Sequence, residues 1–186
     1  MKTKKMVTIA LLASMSYVLS YFSFPLIAAV PFLKIDFSDI PILIGTFGFG
    51  PVSGVLVAFT RSFLHYLFTG GELGIPIGDT AAFLASVSYI LPLYYWLKNR
   101  EWSIKNKVIA SALGTGLLTI LLTILNWFVL IPAYFYLFNT DVGPLREYFL
   151  YGIVPFNLIK GVLVSLVFYP LYARLRPHLK RSQIKL

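Results

Sequence analysis

The sequence predicts an all-α integral membrane domain of six transmembrane helices, with both termini inside and a short second helix paired with the third. Three observations predict it: an apolar composition, apolar runs long enough to cross a bilayer, and the grouping of the cations. Of the 186 residues, 58% are hydrophobic and 12% are charged, with a mean hydropathy of +0.80. A water-soluble fold has no interior large enough to hide that much apolar surface. Each crossing needs about 20 apolar residues, so the length suits a single membrane domain over 1–186, with no room for a second.

Lys2, Lys4 and Lys5 precede the first run, 6–24. That run is too long for the apolar core of a signal peptide and lacks a small-residue cleavage site, so it reads as a retained first helix. Further spans are predicted at 80–97, at 107–138, which Pro132 interrupts, and at 152–175. The stretch 40–68 reads either as one long helix or as a hairpin of a short and a normal helix turning at Gly48, Gly50, Pro51 and Gly54. Charge parity selects the hairpin. Most of the sixteen Lys and Arg residues fall at the N-terminus, at Lys98, Arg100, Lys105 and Lys107, and at the C-terminus from Arg174 onward. All three places belong inside by the positive-inside rule, which requires an even number of crossings between the first and the second. Asp36, Asp39, Glu72, Asp79, Asp141 and Glu147 then fall on the outer side, leaving Glu101 inside.

The same residues exclude whole classes of function. There is no cysteine for a disulfide, a thiolate metal site or a nucleophile, and two isolated histidines make no metal site. No G-x-x-x-x-G-K-[ST] phosphate loop occurs, so the chain carries no ATPase of that type. Neither an enzyme nor a cofactor is expected. The net charge of +9 is read as basic flanks against anionic membrane lipid, not as a nucleic-acid surface.

An ionisable side chain inside a span costs roughly 2.5–3.5 kcal/mol on insertion scales and calls for a partner. Arg61 and His65 in the third span are expected to be structural, with Asp79 or Glu72 available to neutralise the arginine. Asn126 in the fifth span, with Asn157 and Lys160 in the sixth, carries the functional expectation. Asn157 and Lys160 lie three apart on one helical face, and no acidic residue is expected at membrane depth to pair with the lysine. A polar uncharged or weakly acidic ligand entering from outside would satisfy these groups. Two outer loops could close such a site: 25–39, with Phe32, Leu33 and Phe37, and 70–79, with Gly70, Gly71, Gly74, Pro76, Gly78 and Asp79.

The stretch F-L-K-I-D-F-S-D-I-P (32–41), the hairpin end G-F-G-P (48–51) and P-F-N-L-I-K-G (155–161) resemble the riboflavin-specific substrate-binding component (S component) of energy-coupling factor (ECF) transporters. The resemblance extends over essentially the whole chain. It implies riboflavin, as transported ligand and not as cofactor, captured from outside a bacterial plasma membrane. The isoalloxazine ring would be gripped by Asn126, Asn157 and Lys160, covered by Phe32, Leu33 and Phe37, with Gly78 and Asp79 near the ribityl chain. The resemblance also implies a transmembrane coupling protein and two cytoplasmic ATPases as partners. The family's first-helix A-x-x-x-A contact with that coupling protein is matched here by Ala10 and Ser14. Competing readings are an S component for a different vitamin, a stand-alone facilitator or channel, and an assembly subunit whose polar cluster only joins helices.

Overall fold

The structure is a computed structural model describing residues 2–27, 33–71, 74–138 and 145–184. Its helices are α1 (Lys2–Ser20), α2 (Asp39–Phe49), α3 (Pro51–Thr69), α4 (Ile77–Leu97) and two interrupted rods. In the first rod, α5 (Ile104–Leu125) runs through a π turn, π1 (Asn126–Leu130), into α6 (Ile131–Phe138). In the second, the single turn α7 (Leu145–Glu147) runs through π2 (Tyr148–Ile153) into α8 (Val154–Ile184). Between α1 and α2 lies a small ribbon that the hydropathy pattern does not announce. There β1 (Phe24–Pro25) pairs antiparallel with β2 (Lys34–Ile35), Phe24 opposite Ile35.

Among the described residues, four segments are long and apolar enough to cross a membrane alone: Pro51–Thr69, Ile77–Leu97, Ile104–Leu137 and Leu145–Pro177. The first turns of α1 carry lysines, and α2 has only 11 residues. At 1.5 Å per residue α2 rises about 16 Å, roughly half the hydrocarbon thickness. Nevertheless it is the central element, packed against α1, α3, α4 and α8. Ile42 and Leu43 are fully enclosed.

The corner between α2 and α3 follows from its residues. Gly50 takes φ 94°, a conformation that a side chain would strain, and Pro51 starts α3 at the first helical position, where no N–H is needed. One turn on, Gly54 lets the two helices touch. A Cβ there would lie 2.9 Å from the Cβ of Thr46, whose hydroxyl donates to the Ile42 carbonyl.

The described basic segments meet at one end of the bundle. Lys5 Nζ donates to the Phe49 carbonyl (3.1 Å), Tyr172 Oη donates to the Phe47 carbonyl (3.2 Å), and the Phe47 ring lies 5.5 Å from Trp102. Arg176 sits 5.3 Å over the Trp102 ring. The start of α1, the α2–α3 corner, the α4–α5 connection and the far part of α8 therefore share one face, as an even number of passes requires.

Gly54→Ala should lower the thermal midpoint in detergent, by an amount corresponding to about 1–3 kcal/mol for an overpacked contact. Gly116→Ala, where an added Cβ meets nothing within 4 Å, should be neutral or stabilising. Equal midpoints for the two variants would contradict the packing described at Gly54.

Candidate functional site

Several described residues of the 32–41 motif fix the start of α2. Ile35 is fully buried beneath the ribbon. Asp36 Oδ1 accepts the Ser38 N–H (2.7 Å), and the Ser38 carbonyl accepts the Ser16 hydroxyl of α1 (2.6 Å), so the turn before α2 is tied down on both sides. Phe32 lies outside the described residues. Leu33 and Phe37 are half-buried, with Phe37 packed against the core.

Asp39, the next residue, opens α2 and is 2% exposed. Its Oδ1 accepts the Ser86 hydroxyl (2.5 Å) and its Oδ2 lies 3.4 Å from Lys160 Nζ. Arg61 joins from α3, its Nη2 donating to Ser86 Oγ (2.8 Å) and to the Ala82 carbonyl (3.4 Å). The expectation that Lys160 has no acidic neighbour at membrane depth is thus corrected. Because α2 climbs only about half the membrane, its first residue stands inside the bundle and not in an outer loop. Arg61, Ser86 and Lys160 lie ten to twelve residues along α3, α4 and α8 from the basic end, which puts them about 15–18 Å up, level with Asp39.

Asp79 faces a different partner from the one expected: His65 Nδ1 lies 2.6 Å from its Oδ1. Glu72 is not among the described residues. Gly78 and Asp79 belong to the first turn of α4, where a carboxylate favours the helix N-terminus, and not to the loop.

Each asparagine stands beside a π turn that a proline accompanies. Ile131, just before Pro132, sends its N–H five residues back to the Asn126 carbonyl; Val154, just before Pro155, sends its N–H five residues back to Phe149. A proline offers no N–H to the carbonyl four residues behind it, and inserting one residue as a π turn absorbs that loss. Each insertion also rotates the remainder of its helix by one position. Asn126 opens π1 and Asn157 stands one turn beyond π2. Both are buried, at 4% and 1% exposed.

Each carboxamide uses its Nδ2 on its own helix, Asn126 to the Leu122 carbonyl (2.7 Å) and Asn157 to the Ile153 carbonyl (3.0 Å). This leaves Asn157 Oδ1 buried with no hydrogen-bond partner among the described residues, and Thr123 Oγ1 is in the same position. Buried polar atoms are almost always paired, so such orphans call for an occupant. Thr123 was not anticipated from the sequence, although it lies three residues before Asn126 on the same face. The Trp127 and Phe149 rings, 5.1 Å apart, bring the two π turns together.

The platform under these groups is tight. Gly161, following Lys160, has no room for a Cβ, which would lie 2.8 Å from Thr115 Cβ. Its carbonyl accepts the Tyr89 hydroxyl (3.1 Å), which also bonds Ser165 (2.6 Å). On the opposite flank Ala10 and Ser14 are exposed on α1, with Ser14 Oγ donating to the Ala10 carbonyl (3.0 Å).

Residues 4–172 match the family described as "ECF transporter, substrate-specific component". The chain belongs to that family. Among the relatives of this S component, the riboflavin transporter RibU of Staphylococcus aureus is 42% identical over 182 residues, covering 97% of this chain and 94% of that protein. The riboflavin transporter FmnP of Bacillus subtilis is 34% identical over 186 residues, covering 98% and 97%. A solved structure of the S component of a bacterial ECF transporter superposes with a TM-score of 0.81 at 40% identity, covering 97% of this chain and 99% of that one. The S component described here is a multi-pass protein of the bacterial plasma membrane.

Asp39→Asn should be among the most damaging single substitutions, because it leaves buried cations without their anion, at a cost of about 3–5 kcal/mol. Adding Lys160→Met should restore about half of the lost stability or more, and thermal melts of the two single and one double variant measure the coupling. Strict additivity would contradict the Asp39–Lys160 pairing.

Proposed function

We propose that the chain captures riboflavin with high affinity at its outer side and delivers it inward as the S component of an ATP-driven ECF transporter. The observation that carries this reading is Asn157: a carboxamide oxygen, 1% exposed as a residue and without a partner among the described residues, one turn from a lysine whose ammonium is already held. The pyrimidine edge of the isoalloxazine ring presents an N–H between two carbonyls. That N–H suits Asn157 Oδ1, and the carbonyls suit the Lys160 ammonium and a carboxamide N–H. A short α2 supports the same reading, since it fills only the half of the bundle nearest the basic end and leaves height above Asp39 for a planar ring. Relatives covering nearly the whole chain are named as riboflavin transporters.

In this reading the whole of 1–186 is one substrate-binding domain with both termini inside. Asn126, Asn157 and Lys160 grip the ring. Phe32, Leu33 and Phe37 of the first outer loop cover it, and Gly78 and Asp79 flank the ribityl chain. Energy comes from a transmembrane coupling protein and two cytoplasmic ATPases. The exposed Ala10–Ser14 face of α1 offers small side chains, which allow close approach of a partner helix.

Titrating purified protein into riboflavin should quench flavin fluorescence at a one-to-one endpoint. Asn157→Ala and Lys160→Ala should each weaken binding more than tenfold, or about 1.4 kcal/mol. Asn157→Ala also loses the Nδ2 bond to the Ile153 carbonyl, so its thermal midpoint without ligand should fall by an amount corresponding to about 1 kcal/mol. Protein that leaves flavin fluorescence unchanged would refute the proposal, and a midpoint shift with another vitamin from a panel would redirect it. Vesicles holding this chain alone should not take up riboflavin; uptake to equilibrium without the coupling module would favour a stand-alone facilitator.

A further inference from the structure

A second site lies at the basic end, remote from the asparagines. Between α4 and α5 runs a groove of about 460 Å³ lined by Pro92, Tyr95, Trp96 and Arg100 on one side and Leu113 and Leu117 on the other. From Pro92 to the end of α4 at Leu97 it follows five helical residues, about 7.5 Å, and continues to Arg100 in the turn beyond. Its walls are apolar except at the mouth. There Arg100, exposed and joined to no carboxylate among the described residues, lays its guanidinium 3.8 Å from the centroid of the Trp96 ring. The Trp96 indole N–H is buried and finds no acceptor among the described residues, which is unusual for tryptophan.

Charge at the mouth is one-sided. Lys98 and Lys105 are exposed in the same connection as Arg100, and Glu101 is the one acidic residue in 98–107. The positive-inside rule puts this end at the cytoplasmic leaflet. A ligand that fits must bring an apolar chain for the groove, aligned with the bundle axis, and an anionic oxygen for the guanidinium and the indole N–H. A free phosphate has no chain, and a zwitterionic lipid brings an ammonium group up to the Arg100 guanidinium. Basic pockets between helices on the cytoplasmic side are where anionic head groups bind.

We propose that this groove is a binding site for one anionic glycerophospholipid of the inner leaflet. One acyl chain lies along Pro92, Leu113 and Leu117. The phosphodiester is held by Arg100, with Trp96 as the platform beneath and its N–H as a second donor when the guanidinium turns toward the phosphate. The lipid belongs to the same leaflet as the α4–α5 connection and joins two helices that the vitamin reading does not require to separate.

The test is tryptophan quenching by phospholipids brominated on the acyl chain, in detergent, comparing phosphatidylglycerol with phosphatidylcholine. Wild-type protein should show saturable quenching by brominated phosphatidylglycerol at an apparent affinity at least about fivefold above that for phosphatidylcholine. Trp96→Phe should remove the saturable component, leaving the quenching of Trp102 and Trp127. Arg100→Gln should erase the preference for phosphatidylglycerol while its thermal midpoint in phosphatidylcholine stays that of wild type. Lys98→Gln, outside the groove, should keep the preference. Soluble glycerol phosphate should not compete. Equal quenching by both lipids, a preference that survives Arg100→Gln, or an equal loss in Lys98→Gln would overturn the proposal in favour of diffuse surface charge. Full competition by glycerol phosphate would make it a phosphate site without a lipid.

Discussion

The bundle is organised around one buried carboxylate. Asp39 receives Ser86 from α4 and Lys160 from α8, while Arg61 of α3 reaches the same point through Ser86. Four helices are therefore joined at a level where water is scarce and an unmatched charge is costly. Desolvation makes such a cluster a weak source of net stability, but breaking it is expensive, because what remains is an unpaired charge. Its value lies in specificity. Only one packing of α2 among its neighbours satisfies all these groups at once, and that packing stations the Lys160 ammonium on the inner face of α8.

The height of this cluster follows from a single length. Because α2 has 11 residues, its first residue cannot lie at the far surface if its last meets the basic end. The loop before it is drawn down into the bundle, where Asp36 and Ser16 fix it through Ser38. Above this floor the long helices continue, and two of them carry proline-linked π turns. A regular α-helix would present different faces beyond those turns. Asn126 keeps the register of α5 and Asn157 that of α8, so the insertions offset only α6 and α7 beyond them, and the close approach of Gly161 to Thr115 keeps α8 from shifting.

Much of this was legible in the residues. Grouped cations and hydropathy were enough for six helices, for the hairpin at 40–68 and for the short α2. The i, i+3 spacing puts Asn157 and Lys160 on one face of the helix, and both stand on α8. What escaped was depth. Asp39 precedes the first apolar residue of α2 and reads as an outer-loop residue when even a short helix is counted as a crossing, so the lysine looked unpaired. Ser86 is one serine among several on an apolar helix, and only its neighbours in space give it a role. Pro132 marked an interruption, but whether a proline yields a kink, an end or a π turn depends on the packing around it. The β1–β2 ribbon is too short to leave a period in the sequence.

Under the proposed function, a ring N–H of the ligand completes Asn157 Oδ1, which finds no partner among the described residues, beside an ammonium that Asp39 holds in place. Comparing the affinity of riboflavin with that of its N3-methyl derivative tests this directly, since the methyl group removes that one donor. The predicted result is a loss of more than tenfold, or about 1.4 kcal/mol, which Asn157→Ala largely abolishes. Equal affinity of the wild-type protein for the two flavins would contradict it.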